Sequence, residues 1–488
     1  MPLVPVTISD GQVSGVDDLS PVASSVVNWD IDEAGINRPR ATLQTNAVTG
    51  LGASPVNGLV EWGAYYLATV KDTTTVTASI TGKYLDLRVY VVNGVFPTVA
   101  NEVTFPSNYL GLDRRPTFVS AQTKVYIAAG KYIHSWVYTA PAALQQMTGP
   151  SPRVTHIAAL GQRLIANSLD NPNNFYWSDI GEGVWTTWPS ANTAQAEARP
   201  DAIVGLAENT NELIVWGTQT TQTYSVGSDP TLPFDQVATI NTGLGAPYAY
   251  VRLDETWSWL DDKRRIILSD GRSVKVISDA IQKDLRALTT ISDAFAYRLE
   301  YDQFSYLIYR FPTEMRTFAY NLKSEKWSER ATYSQPFNAD HNIGAYIPRQ
   351  YDGSHLFGSS ALTGGVYAMS TTLGTELGGP LLCERTTGWH DFGTSNAKRY
   401  GKLRIVMKRG TAAQGATPGA LEISYQDDDS AWSAWEQISV GGPSEFQSVQ
   451  EIWPMGIGRR RRYKFRFSTS ERFALAEVHQ DVDDLEAE

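Results

Sequence analysis

A single cysteine, Cys383, stands in this chain of 488 residues. Neither an internal disulfide framework nor a multi-cysteine zinc site can form, so the fold must rest on burial and backbone pairing, and synthesis in a reducing compartment is expected. Charge is sparse as well, at 19% of residues. Nowhere do eighteen apolar residues run together, and Met1 to Gly15 has no basic start leading into an apolar stretch, so neither a membrane span nor an export signal is expected. The histidines, His134, His156, His341, His355, His390 and His479, include no pair at the spacing of a helix-borne zinc site. Gly82-Lys83 and Gly130-Lys131 lack the upstream glycine and the following Ser or Thr of a phosphate loop. No cofactor, metal site or catalytic constellation is expected, and the chain is not read as an enzyme.

What is abundant is aromatic and apolar. Apolar residues make up 42% and aromatic residues 11%, with 14 Trp and 24 Tyr, a composition that folds. The 39 Gly and 24 Pro are spread along the chain, as many short strands joined by tight turns require. Asp and Glu outnumber Lys and Arg by 52 to 41, and a net charge of -11 argues against a sequence-specific DNA reader.

A unit recurs: an apolar strand, a polar turn and a second strand ending in an aromatic residue. Its instances are Lys124 to Trp136, Gln162 to Trp177, Glu212 to Tyr224, Trp257 to Ile277, Tyr297 to Trp327 and Tyr346 to Tyr367. Strand centres near Ile127, Ile165, Val215, Ile267, Ile308 and Phe357 are 38 to 52 residues apart, the interval of propeller blades, whose apolar faces only neighbouring blades can cover. Asp270-Gly271 and Asp352-Gly353 supply hairpin turns, and Leu322 to Trp327 reads as a hairpin closing on a buried Trp. An earlier strand, Glu61 to Val70, adds a further candidate blade. Ser278 precedes Ile281, Leu285 and Leu288 at helical spacing, the clearest helix signal.

The expected fold is therefore all-β: a β-propeller of five to seven blades, six being the central expectation, with a C-terminal β-sandwich. Residues 1-50 form an N-terminal arm, 51-370 the propeller with an inserted β-ribbon near 71-118, and 371-488 the sandwich with an acidic tail, Asp481 to Glu488. The sandwich strands are Lys402 to Lys408, Ala420 to Gln426, Trp432 to Val440 and Arg460 to Ser468.

Three segments resemble one family. They are Arg199-Pro200-Asp201-Ala202-Ile203-Val204-Gly205-Leu206 with Leu213 to Thr218, Gln222-Thr223-Tyr224 and Gly243-Leu244-Gly245-Ala246-Pro247; Val27-Asn28-Trp29 with Arg38-Pro39; and Gly458 to Arg466. Together they are similar to the tail hub or nozzle proteins of short-tailed phages, also called packaged-DNA stabilisation proteins. Gln222 departs from the acidic residue common in that family, and the opening segment lacks its usual proline. The resemblance implies a structural virion protein in a homohexameric ring below the portal and adaptor rings. There it would extend the DNA channel, retain the packaged genome, conduct it during ejection, and dock tail fibres or spikes and a distal plug or needle. Double-stranded DNA would pass through the lumen without sequence-specific binding. The protein would belong to the virion tail after synthesis and assembly in the host cytoplasm.

On a strand, the basic run places Arg460, Arg462, Lys464 and Arg466 on one face and Arg461, Tyr463, Phe465 and Phe467 on the other. The basic face is a solvated edge or a partner for the acidic tail, next a contact for a neighbouring subunit or adaptor, and last a contact for phosphate. Trp177, Trp185, Trp188, Trp216 and Trp327 are read as blade core. Trp177 to Trp185 is similar to a sialidase-propeller turn with its spacings off by one, and is read as a plain hairpin. Asp427-Asp428-Asp429 form a solvated turn or offer carboxylates to calcium. Two other functions fit the pattern: a carbohydrate-binding or polysaccharide-cleaving propeller, and a tail-tip receptor-binding component.

Overall fold

The computed structural model describes residues 3–485, except 14–22, 47–54, 64, 80–81, 94–99, 104–110, 113–114, 130–131, 137–144, 147–152, 197–200, 333–340, 351, 362–364, 410–419, 429, 441–445, 454–455 and 470–472. Seven antiparallel sheets follow one another along the chain, beginning with the strands Val56–Trp62, Thr117–Ser120, Ile157–Leu160, Ile203–Glu208, Tyr250–Arg252, Phe295–Tyr301 and Ile343–Pro348. Five are separate four-stranded sheets, the first carries a fifth strand, and the sixth runs on into a larger sheet.

The middle strands bury both faces, which is why they read as unbroken apolar runs. In Glu212–Gly217, Leu213 and Val215 pack with Ile165 and Trp177 of the sheet before, while Ile214 and Trp216 pack with Trp257 and Trp259 of the sheet after. The same sharing links each sheet to the next. It closes the circle where Ile347 and Leu356 of the seventh sheet meet Leu59 and Tyr66 of the first. This is a β-propeller, with its blade number at the upper end of the expected range. The seventh blade takes its outer strand from the N-terminal part of the chain: Thr42–Asn46 pairs with Val366–Ser370, from Thr42 opposite Ser370 to Asn46 opposite Val366. Such a strand joins the two ends of the ring by backbone hydrogen bonds.

The six repeats fall in the second to seventh blades, and the early segment makes the first. Glu61 to Val70 is not one strand, however, but parts of two, Val56–Trp62 and Tyr65–Ser79, turned at Gly63 with φ +58°. Nor is the ribbon a separate insertion. Tyr65–Ser79 and Gly82–Asn93 are strands of that first sheet and pair from Tyr65 opposite Asn93 to Ser79 opposite Gly82, while Thr117 already begins the second. The side chains of 71–112 lie outside the described residues.

Two further sheets share one apolar cluster. Gly379–Thr386, Arg461–Thr469, Ala420–Asp427 and Glu436–Ser439 continue from the sixth blade through Ser25–Val27. Lys398–Arg409, Gln447–Ile452 and Phe473–Asp484 form the other sheet with Leu3–Pro5, Trp29–Ile31 and Asn37–Pro39. Cys383, Phe465 and Phe467 from the first sheet and Trp29, Leu403, Ile405 and Leu475 from the second all lie in that cluster. The early strands thus contribute to both parts of the molecule.

Two expectations need correction here. Of Trp432 to Val440, only Glu436–Ser439 is a strand. The acidic tail begins inside a strand: Asp481 to Asp484 end Phe473–Asp484, which is held because Leu475, Val478 and Val482 enter the cluster. The expected helix exists as a 3-10 turn, Asp279–Ile281, and an α-helix, Gln282–Ala287, with Ile281, Leu285 and Leu288 buried. Ser278 does not cap it: its Oγ accepts the Ile266 amide at 3.0 Å.

Candidate functional site

The motif around Asp201 builds a turn. Asp201 is buried, and its carboxylate accepts the amides of Thr218, Gln219 and Thr220 at 3.0, 2.8 and 2.8 Å and the Thr220 hydroxyl at 3.1 Å. These donors belong to the bend after Gly217, so the carboxylate replaces backbone partners that the bend removes. Gly243 and Gly245 permit close backbone approach: a β-carbon would lie 2.3 Å from Thr218 C at one and 2.5 Å from Asp261 O at the other. Gln222 is buried and accepts the Tyr224 hydroxyl at 2.6 Å. Asp201, Gln222, Gly243 and Gly245 are thus engaged in holding the fourth and fifth blades. Arg199 and Pro200 lie outside the described residues.

The opening segment ties the propeller to the two C-terminal sheets. Asn28, kinked at φ +61°, accepts Arg40 Nε at 2.8 Å and the Ala331 amide at 2.9 Å on its Oδ1, and donates Nδ2 to Leu382 O at 2.8 Å. Arg40 makes a two-pronged ion pair with Glu376 at 2.6 and 2.7 Å, with both side chains buried. Beside it, Asp30 pairs with Arg330 Nη2 at 2.6 Å and accepts the hydroxyls of Tyr306, at 2.8 Å, and Tyr301. These charges are buried but paired, the condition under which burial is tolerable.

The basic strand is the strongest local charge feature, and its alternation is as expected: Arg461, Tyr463, Phe465 and Phe467 are buried, and Arg460, Arg462, Lys464 and Arg466 half-buried. The outward cations do not stand free in solvent. Arg460 and Arg462 lie 4.6 and 4.7 Å from the ring centroid of Trp389. Arg462 and Lys464 lie 5.1 and 4.5 Å from that of Trp432, and Arg466 lies 4.3 Å from that of Trp435. Cations and indoles form a ladder in which each cation meets the ring's negative face. Glu384 lies 2.9 Å from Arg466, and on the buried face Asp427 takes Arg461 on both oxygens at 2.6 and 2.7 Å. The first four residues of the acidic tail, Asp481 to Asp484, end a strand of the other sheet, and residues 486–488 lie outside the described residues.

The calcium expectation meets the same ions. Asp427 is spent on Arg461, and Asp428 accepts the Arg459 and Arg460 amides at 3.2 and 3.1 Å, while Asp429 lies outside the described residues. Among the described residues no group of three or more His, Cys, Asp or Glu side chains could hold a metal ion, and no helix is long and apolar enough to cross a membrane. Trp177, Trp185, Trp188, Trp216 and Trp327 are all buried. The segment Trp177 to Trp185 is no plain hairpin: it contains a 3-10 turn, Glu182–Val184, and Trp185 Nε1 donates to Gln162 O at 2.9 Å. Burial pushes the His390 imidazole down to about 4, against the opposing pull of Asp10 and Asp391, and pushes His341 well below its ordinary value, helped by Arg40, Arg310 and Arg330.

Among solved structures, the WD40 domain of Neurospora crassa Pan2 is similar at 6% identity and a TM-score of 0.41, over 65% of this chain and 89% of that one. No curated protein matches the sequence. A family model described as bacteriophage P22 Gp10, beta-propeller, matches residues 89–361, more than half of the chain and most of the ring of blades. With that span and the propeller it describes both present, the chain belongs to the bacteriophage P22 Gp10 β-propeller family.

Proposed function

We propose that this chain is a structural subunit of a phage tail: a nozzle or hub ring, hexameric in the expected form, below the portal and adaptor rings. It extends the DNA channel, retains the packaged genome, conducts it at ejection, and carries tail fibres or spikes and a distal plug. The observation that carries this reading is the family match across the blades, in a fold whose motif residues are spent on turns and blade contacts.

The physics of a conduit supports it. Each Lys or Arg paired with phosphate strengthens attachment and slows a moving duplex, so a channel wall is best neutral or acidic. The chain carries a net charge of -11, and its most basic strand sets its cations against indoles of the adjoining loops and carboxylates of its own sheet. The basic strand is thus better suited to fixing the C-terminal sheets than to gripping DNA.

The test is particle composition and genome retention. Purified particles should contain the chain in the tail, and particles assembled without it should fill and then lose their DNA. Finding the chain absent from particles, or finding that particles lacking it hold their genome and infect normally, would overturn the reading.

A further inference from the structure

Two apolar patches remain uncovered, in different parts of the molecule and with opposite charge around them. The first follows a sheet edge. Gln447–Ile452 pairs with Lys398–Arg409 and, among the described residues, with no other strand. Along it Phe446, Val449, Trp453 and Ile457 are exposed, Phe446 by 77% and Trp453 by 59%. The adjoining strand sets a row of cations beside them: Arg399 opposite Ile457, Lys402 with Nζ 5.6 Å from the Trp453 ring, Arg404 opposite Glu451, and Lys408 opposite Gln447. Glu451 is paired with Lys402 at 3.0 Å. Glu477 and Asp483 sit one strand further from the edge, opposite Val406 and Arg399. The cation row therefore lies nearer the exposed edge than Glu477 and Asp483.

The second patch caps the third and fourth blades. Ile180, Val226 and Leu232 are exposed, Leu232 by 56%. The turn at Gly161 and Gln162 gathers the segments that carry them: Gly181 N donates to Gln162 O at 2.8 Å, Val226 Cγ2 would stand 3.3 Å from a β-carbon on Gly161, and Arg163 Nη2 donates to Pro230 O at 3.2 Å. The same segments carry Asp179, Glu182, Asp229 and Asp235, whereas the Arg163 side chain is buried under them.

We propose that these patches are the two halves of one head-to-tail contact between copies of this chain. Apolar side chains meet at its centre, and the cation row of one copy faces the acidic rim of the next. Contiguous exposed apolar side chains rimmed by charge mark interaction surfaces, and charge of opposite sign fixes which face meets which. Because the faces differ, the contact is heterologous and repeats into a closed ring or an open filament. The proposal rests on the tail-ring reading above and names the surface by which such a ring would be joined.

The test uses cysteine pairs, with buried Cys383 silent in the background. Leu232→Cys and Trp453→Cys, both at exposed positions, are made singly and together, and purified particles are treated with a short bis-maleimide. The double variant should give a ladder of covalent oligomers on a denaturing gel, and each single variant none. Dimers from either single variant would mean a self-complementary face and overturn the proposal, as would a double variant present in particles but not cross-linked. The same reaction is run on the concentrated purified chain. Absence from particles would then sink the tail reading, while the contact is decided by that second reaction.

Discussion

Gly217 and Asp201 touch so closely that a β-carbon at 217 would lie 1.8 Å from the Asp201 carboxylate. The carboxylate cannot yield without giving up its backbone donors in the following turn. Gly217→Ala should therefore destabilise the propeller by about 1–3 kcal/mol, the range of core overpacking. Asp201→Ala removes the acceptor for buried amides and should cost on the order of 3 kcal/mol. Denaturant unfolding of both variants checks this, and a Gly217→Ala protein as stable as the parent would refute the contact.

The pair of Asp30 and Arg330 gives a second expectation. Asp30→Ala strands a buried guanidinium and two tyrosine hydroxyls, and breaking such a pair costs about 3–5 kcal/mol. Asp30→Ala with Arg330→Met removes both charges and should recover a measurable part of the loss. If the double variant is no more stable than Asp30→Ala alone, the stranded charge is not the cause.

The indole ladder makes a third. Trp432→Ala removes a ring shared by Arg462 and Lys464, for a loss of about 1–2 kcal/mol at these half-buried sites. The loss should fall on the C-terminal sheets. Amide hydrogen exchange should quicken in Ala420–Asp427 and Arg461–Thr469 and stay unchanged in the second to fifth blades.

Stability should also depend on pH. His390 takes up its proton only near pH 4 in the folded chain, and burial holds His341 well below its ordinary value too, whereas in the unfolded chain both do so near 6.5. Protons then favour the unfolded state between those values, so this contribution is complete above about pH 6.5 and is lost as the pH falls toward 4. The denaturant midpoint should drop across that window, and His390→Phe should shallow the drop. A curve unchanged by the substitution would show that His390 is not responsible.

Much of this was legible where local signals coincide with the fold. Asp270-Gly271 and Asp352-Gly353 take positive φ at the glycine, +82° and +70°, in hairpin turns, and the runs at Leu213 and Ile308 bury both faces between blades. The alternation from Arg461 to Phe467 was equally plain. What escaped depends on partners distant in the chain. Thr42–Asn46 has nothing in its own sequence to mark it as the seventh blade's outer strand, and the strand ending at Asp484 was hidden by its acids. The ladder left a usable trace, two tryptophans three residues apart, Trp432 and Trp435, matched to cations at every second position. Trp432 and Trp435 lie before the strand Glu436–Ser439, so which indole faces which cation is set by the path of that connecting segment.

The strand borrowed by the seventh blade has a consequence for how the molecule is made. Thr42–Asn46 leaves the ribosome some three hundred residues before Val366–Ser370, its only route into the circle. Until then the blades form an open arc, with Leu59 and Tyr66 at one end lacking the neighbours that later cover them. The final seam joins the oldest and youngest parts of the wheel, and a nascent chain halted short of it exposes greasy edges to its neighbours on a polysome.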